Sequence, residues 1–177
     1  MSELGISAVL VPGADLETAA LDLSAVLEGL VGDRFELLLV NHDTSATADL
    51  QHRRVPLRLI EGTSIADGAS AAAYELVLIV AADGQFDIRE LNHLLDAIED
   101  GADMAVGFRP RVTDGLVRAM QRCGWNVDVD CAFTLMRRSV WERLHAVSTT
   151  EARRMGFRVS EVPVSHRRPT IGAPVAA

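Results

Sequence analysis

The apolar run Leu76-Val77-Leu78-Ile79-Val80-Ala81-Ala82 is followed directly by the polar residues of Asp83-Gly84-Gln85-Phe86-Asp87, and this segment is the most informative about the fold class of the chain. An apolar run without polar alternation is typical of a strand that is buried on both faces of a parallel sheet. The polar residues behind it favour a turn at the carboxyl end of that strand. The pattern therefore predicts one central strand with a polar loop at its end.

The same pattern recurs along the chain and alternates with helical periodicity. Asp87 and Glu90 have the spacing of a capping box at the start of the clearest helix, whose apolar stripe ends at Gly101. Alternation of this kind predicts an α/β fold with a mostly parallel sheet covered by helices on both faces. The predicted strands are 6–11, 35–40, 55–60, 76–82, 104–107, 132–136 and 157–164, and the predicted helices are 15–30, 64–74, 87–101, 114–126 and 140–145.

The length and the composition describe an ordinary globular protein. A chain of 177 residues fits one domain. We expect that domain to span residues 1–165 and residues 166–177 to form a flexible tail.

Charge and cysteine usage exclude several classes of protein. The net charge of −8 argues against nucleic acid as a partner, because such binding needs a basic face. No apolar run is long enough to span a membrane, and no secretion signal is recognisable at the start. Cys123 and Cys131 have neither metal-ligand nor disulfide-framework spacing, so we expect a cytoplasmic protein.

Two polar clusters follow predicted strands at their carboxyl ends. One spans residues 41–45 and the other spans residues 83–87. Ligands of open α/β sheets bind outside the carboxyl ends of the strands. The topology alone therefore makes these clusters the first candidates for a binding site.

Four segments in the same order carry a resemblance to a known family. They are Leu78–Asp87, Gly101–Arg109, Asp128–Arg138 and Arg154–Val164. They resemble the D-A-D-x-Q, G-A-D-V-V-x-G-x-R, D-x-x-C-G-F-K-L-F-R-R and G-Y-x-V-x-E-V-P-V segments of family-2 glycosyltransferases, in particular polyprenyl-phosphate and dolichol-phosphate sugar synthases. The resemblance implies a GT-A fold, a Rossmann-like three-layer sandwich, here shortened and with a partly degenerate active site.

The resemblance implies a divalent cation, Mg²⁺ or Mn²⁺, that bridges the diphosphate of a sugar nucleotide. Of the D-A-D-x-Q ligands, Asp83 and Gln85 are retained, whereas Ala81 replaces the first aspartate. Loss of a carboxylate predicts a weak metal site. The alternative is that Asp83-Gly84 is simply a turn before a helix.

The resemblance also implies binding and catalytic residues. An inverting transfer needs a general base, for which Asp128 and Asp130 are the candidates. Arg137 and Arg138, together with Arg109, would meet an acceptor phosphate. A negative charge at Asp67 would disfavour a diphosphate nearby. The nucleotide-sugar candidates are Pro12, Asp15, Asn41, His42, Asp83 and Arg109.

Each of these candidates also has a purely structural interpretation, as a helix cap, a polar loop or a solvated charge. Two functions therefore stay open. One is transfer of a hexose from a nucleotide diphosphate sugar to a lipid-phosphate or similar acceptor, by a protein at the membrane periphery or in the cytoplasm. The other is a catalytically inactive domain with a binding or assembly role. A third possibility is a shortened version that folds without a biological role. We also expect that the chain can form a homodimer.

Overall fold

The computed structural model describes residues 4–11, 16–40, 55–62, 64–81, 86–108 and 133–165. These ranges contain seven strands and five α-helices, with one 3₁₀ turn at Ile88–Glu90. The strands are β1 Ile6–Val11, β2 Phe35–Val40, β3 Leu57–Ile60, β4 Leu76–Ala81, β5 Met104–Phe108, β6 Phe133–Arg137 and β7 Val159–Pro163. The helices are α1 Leu16–Val31, α2 Ile65–Ser70, α3 Leu91–Glu99, α4 Arg138–Leu144 and α5 Thr149–Arg154.

The strands form a single mixed sheet in the order β3-β2-β1-β4-β6-β5-β7. All neighbouring strands are parallel except at β6, which runs antiparallel to both β4 and β5. The apolar runs β1, β2 and β4 are almost completely buried, as strands covered on both faces must be. The predicted α/β class with a mostly parallel sheet is confirmed.

Helices cover both faces of the sheet because the crossovers reverse direction. The chain moves from β1 outward to β2 and β3 and then returns to β4 on the other side of β1. Right-handed crossovers in opposite directions put their helices on opposite faces. Gly68 of α2 lies against Val9 and Val40 on one face, whereas Arg137 of β6 reaches the carbonyl of Ile98 in α3 on the other.

The start of α3 differs from the predicted capping box. The Asp87 carboxylate accepts a hydrogen bond from the N–H of Arg89, and a 3₁₀ turn precedes the helix. The carboxylate of Glu90 accepts instead from the N–H of Ser165, 75 residues further along the chain. The capping-box prediction was wrong because a tertiary partner holds the Glu90 carboxylate.

Other boundaries changed less. The helix predicted for residues 64–74 ends at Ser70, and the strand predicted for 55–60 begins at Leu57. The helix predicted at 114–126 and the tail 166–177 lie outside the described residues. Among the helices that the structure describes, none has both the length and the apolar character that crossing a bilayer requires.

Candidate functional site

One edge of the sheet collects the carboxyl ends of the parallel strands. Val11 of β1 pairs with Ala81 of β4, so these two strands end side by side. Leu10 pairs with Leu39, which places the end of β2 beside them. Because β6 runs in the opposite direction, it starts at this edge, where Phe133 pairs with Val80. We call this the carboxyl edge.

Every segment that carries a predicted nucleotide-sugar, metal or general-base residue is attached at the carboxyl edge. The chain leaves the described sheet there after Val11, Val40, Ala81 and Phe108, and it returns there at Phe133. The structure thus brings together the attachment points of the candidate segments. The predicted site residues themselves lie outside the described residues: Pro12, Asp15, Asn41, His42, Asp83, Gln85, Arg109, Asp128 and Asp130.

A cavity of about 370 Å³ lies at the carboxyl edge. Ala81 lines it at the end of β4, and α1 forms the wall that faces the 3₁₀ turn. The cavity is within the size range of small-molecule sites. Its described lining residues are Thr18, Ala19, Asp22, Ala25, Val26, Ala81, Phe86, Asp87, Ile88 and Arg89.

An aromatic pair supports this cavity from the sheet side. The rings of Phe86 and Phe133 stack with their centroids 5.5 Å apart. Phe133 is fully buried, and a side chain at Gly107 would meet its ring at 3.1 Å. The stack therefore fixes Phe86, the first described residue after the segment that contains Asp83 and Gln85.

The last described residues of the chain are fastened to the same edge. The N–H of Val164 donates to the carbonyl of Phe108, and the N–H of Ser165 donates to the carboxylate of Glu90 at 2.6 Å. Both acceptors adjoin the carboxyl edge. Ser165, the last described residue, is therefore held near the carboxyl edge.

Asp67 has a structural role that its sequence position did not reveal. Its carboxylate accepts hydrogen bonds from the backbone N–H and the hydroxyl of Ser64, at 3.0 and 2.9 Å. The Ser64 hydroxyl in turn accepts from the N–H of Asp67, which completes a capping box at α2. The carboxylate is thus occupied in holding the start of α2.

Arg137 and Arg138 do not reach the candidate site. Arg137 pairs in register with Leu76, the first residue of β4, at the edge of the sheet opposite to the carboxyl edge. The guanidinium of Arg137 lies 3.8 Å from the Asp103 carboxylate, and that of Arg138 donates to the carbonyl of Ala73 at 3.0 Å. The prediction that they meet an acceptor phosphate was wrong, because β6 is antiparallel and carries them away.

The described residues do not fit a divalent cation by themselves. Position 81 presents only a methyl group where the resemblance implies a carboxylate. In the ranges that the structure describes, no three His, Cys, Asp or Glu side chains converge as metal ligands. A cation here would depend on Asp83 and Gln85, with water and substrate oxygens completing its shell.

Three polar side chains of the cavity were not predicted as site residues. Thr18 and Asp22 follow the helical periodicity of α1 on its exposed side, and Arg89 stands in the 3₁₀ turn. Their only signal in the sequence is proximity to strand ends, which many surface residues share. Packing of α1 beside the turn brings them together.

Comparison with solved structures identifies the fold. A mannosyltransferase from Pyrobaculum calidifontis, in complex with GDP-Man and Mn²⁺, matches 96% of this chain with a TM-score of 0.71 and 18% identity. Glucosyl-3-phosphoglycerate synthase from Mycobacterium tuberculosis, in complex with Mn²⁺, UDP-glucose and glycerol 3-phosphate, matches 93% with a TM-score of 0.65 and 14% identity. The chain has the GT-A glycosyltransferase fold.

The matches differ in extent. This chain spans 58% of the length of the mannosyltransferase and 73% of the synthase. No protein-family model and no curated protein sequence matches this chain. At these identities the comparisons establish the fold, and function has to be argued from the site.

Proposed function

We propose that this protein is a family-2 glycosyltransferase that transfers a hexose from a nucleotide diphosphate sugar to a lipid-phosphate or similar acceptor. The observation that carries this proposal is the convergence of β1, β2, β4, β5 and β6 at one edge, where every candidate segment is attached. The two structural neighbours described above were each solved in complex with a sugar nucleotide and Mn²⁺. A cytoplasmic or membrane-peripheral location and a homodimer belong to the same proposal.

The proposed chemistry is a single displacement at the anomeric carbon. The acceptor oxygen forms the new glycosidic bond while the bond to the nucleotide diphosphate breaks, and the diphosphate leaves with the bonding electrons. Where the acceptor oxygen carries a proton, as a hydroxyl does, Asp128 or Asp130 takes it, whereas an ionised phosphate oxygen attacks directly. The donor is held by Pro12, Asp15, Asn41, His42 and Arg109. A divalent cation at Asp83 and Gln85 would offset the charge of the leaving group.

Ala81 favours the alternative of an inactive domain with a binding role, because one carboxylate of the metal motif is absent. The two functions predict different binding behaviour. Calorimetric titration with UDP- and GDP-sugars in the presence of Mn²⁺ should give a heat of binding if the donor site binds sugar nucleotides. Absence of heat and of any thermal shift at millimolar nucleotide would contradict the transferase proposal.

The substitution Ala81→Asp is a sharper test of the same site. Ala81 lines a cavity and is half-buried, so a carboxylate fits without overpacking the core. We expect Mn²⁺-dependent nucleotide binding to tighten by about tenfold or more. Ala25→Asp is the matched control, since it adds the same charge to the same cavity from α1. Equal responses of the two variants would mean that the charge acts without a metal site.

A further inference from the structure

Arg89 is an exposed cation in the cavity that contains position 81, where the resemblance implies a metal carboxylate. It lines the cavity that Ala81 lines, at the carboxyl end of β4. Its backbone is held in place because the Asp87 carboxylate accepts a hydrogen bond from the Arg89 N–H at 3.1 Å. No carboxylate among the described residues forms an ion pair with its guanidinium. The backbone of Arg89 is thus held in place, while its exposed guanidinium carries a full positive charge.

A diphosphate donor needs positive charge at this place. The bound nucleotide carries negative charge on its phosphates, and that charge grows on the leaving group during transfer. With a methyl group at position 81, the described part of the site contributes little to cation binding. A guanidinium can supply the charge directly, because its planar donors match phosphate oxygens in pairs.

We propose that Arg89 binds the diphosphate of the nucleotide donor and takes over part of the role of the divalent cation. This inference rests on the proposed function, since it concerns the same donor. It predicts that nucleoside diphosphates bind without a divalent cation, through a charge that the chain itself provides. Arg89 is then a donor-binding residue outside the segment that carries Asp83 and Gln85.

Two carboxylates share the cavity with Arg89 and affect the binding in different ways. Asp87 is engaged with the N–H of Arg89 and holds the turn. Asp22 is exposed on the opposite wall, one helical turn from Thr18, and would repel a diphosphate. Removal of the Asp22 charge should therefore act in the opposite direction to removal of the Arg89 charge.

The test is titration of the full chain with UDP and GDP in the presence of EDTA, with UMP and GMP as probes that lack the second phosphate. Arg89→Gln should weaken the binding of the diphosphates by about tenfold or more, as loss of a charge-assisted hydrogen bond does. The affinity for the monophosphates should fall by a smaller factor. Asp22→Asn should tighten diphosphate binding. Arg154→Gln, which removes an exposed arginine of α5 on the other face of the sheet, is the matched control.

The outcomes separate this inference from the proposed function. Binding that requires Mn²⁺, or binding that Arg89→Gln leaves unchanged, overturns the role of Arg89 and leaves the transferase proposal standing. If the unaltered chain binds none of the four nucleotides, with or without Mn²⁺, both the role of Arg89 and the transferase proposal are overturned. Circular dichroism and the thermal midpoint of each variant show whether it has folded.

Discussion

Glu36 of β2 accepts a hydrogen bond from the hydroxyl of Ser7 of β1 at 2.7 Å, inside the face of the sheet that α2 covers. The same carboxylate accepts from the N–H of Ala73 at 2.8 Å and pairs with the guanidinium of Arg58 at 3.4 Å. Arg58 also donates to the carbonyl of Ala71. One carboxylate therefore fastens three strands to the turn between α2 and β4.

Glu36→Ala should lower the free energy of unfolding by about 2–4 kcal/mol. The substitution leaves the fully buried hydroxyl of Ser7 without its acceptor, removes the hydrogen bond from the N–H of Ala73, and removes the ion pair with Arg58, whose side chain is about half exposed. Urea unfolding followed by circular dichroism measures the change. Glu28→Ala, at an exposed position of α1, is the control and should change stability by less than about 0.5 kcal/mol. Equal effects would show that the network contributes nothing.

Two glycines should respond to alanine with opposite signs. A Cβ at Gly68 would lie 2.8 Å from methyl groups of both Val9 and Val40, so Gly68→Ala should destabilise the protein by about 1–3 kcal/mol. A Cβ at Gly29 meets nothing within 4 Å on the surface of α1. Gly29→Ala should stabilise by about 0.5–1 kcal/mol through helix propensity. Thermal unfolding of both variants tests the pair, and the same sign for both would contradict the packing of α2.

Glu75 should make stability depend on pH in the acidic range. The hydrogen bond from the N–H of Gly5 holds the pKa of the Glu75 carboxyl below its ordinary value, helped by Arg34 at 3.3 Å. A lowered pKa stabilises the fold at neutral pH, and this contribution is lost as the pH falls through the folded-state pKa.

Comparison of the unaltered protein with Glu75→Gln by urea unfolding at several pH values measures this contribution. The difference should be below about 1 kcal/mol at neutral pH, because the side chain is half exposed and screened by solvent. It should shrink toward zero in acid. A difference that grows in acid would contradict the assignment.

Arg137→Gln should leave nucleotide binding unchanged. The side chain stands at the edge opposite to the candidate site, about 15 Å away along the strands. It should cost about 1 kcal/mol of stability, because the variant loses the Asp103 ion pair and the hydrogen bond to the carbonyl of Ile98. Calorimetric titration with UDP or GDP tests the first part and urea unfolding the second. A loss of nucleotide binding without a loss of stability would show that Arg137 takes part in the binding site after all.

The strands could be located from sequence because burial on both faces leaves a local pattern. Phe35–Val40 and Leu76–Ala81 are largely apolar runs that are followed by polar residues. The pattern therefore identifies them as strands and indicates where they end. The positions of the strand ends in turn predict that the candidate segments are attached at one edge of the sheet. The residues proposed within those segments stay predictions, since the structure describes their attachment points.

The direction of β6 and the partners of several polar side chains depend on contacts between elements that are distant in sequence. An apolar run has the same pattern in either direction, so the position of Arg137 at the far edge was not encoded locally. Glu90 bonds Ser165 rather than the start of its own helix, and Asp67 caps α2. The cavity that joins Arg89 to Ala81 and α1 depends likewise on contacts between residues distant in sequence. Local sequence patterns therefore specify the seven strands and the edge at which the candidate segments are attached, whereas packing between elements remote in sequence sets which charged side chains lie near that edge, and helix α5 has no counterpart among the predicted helices.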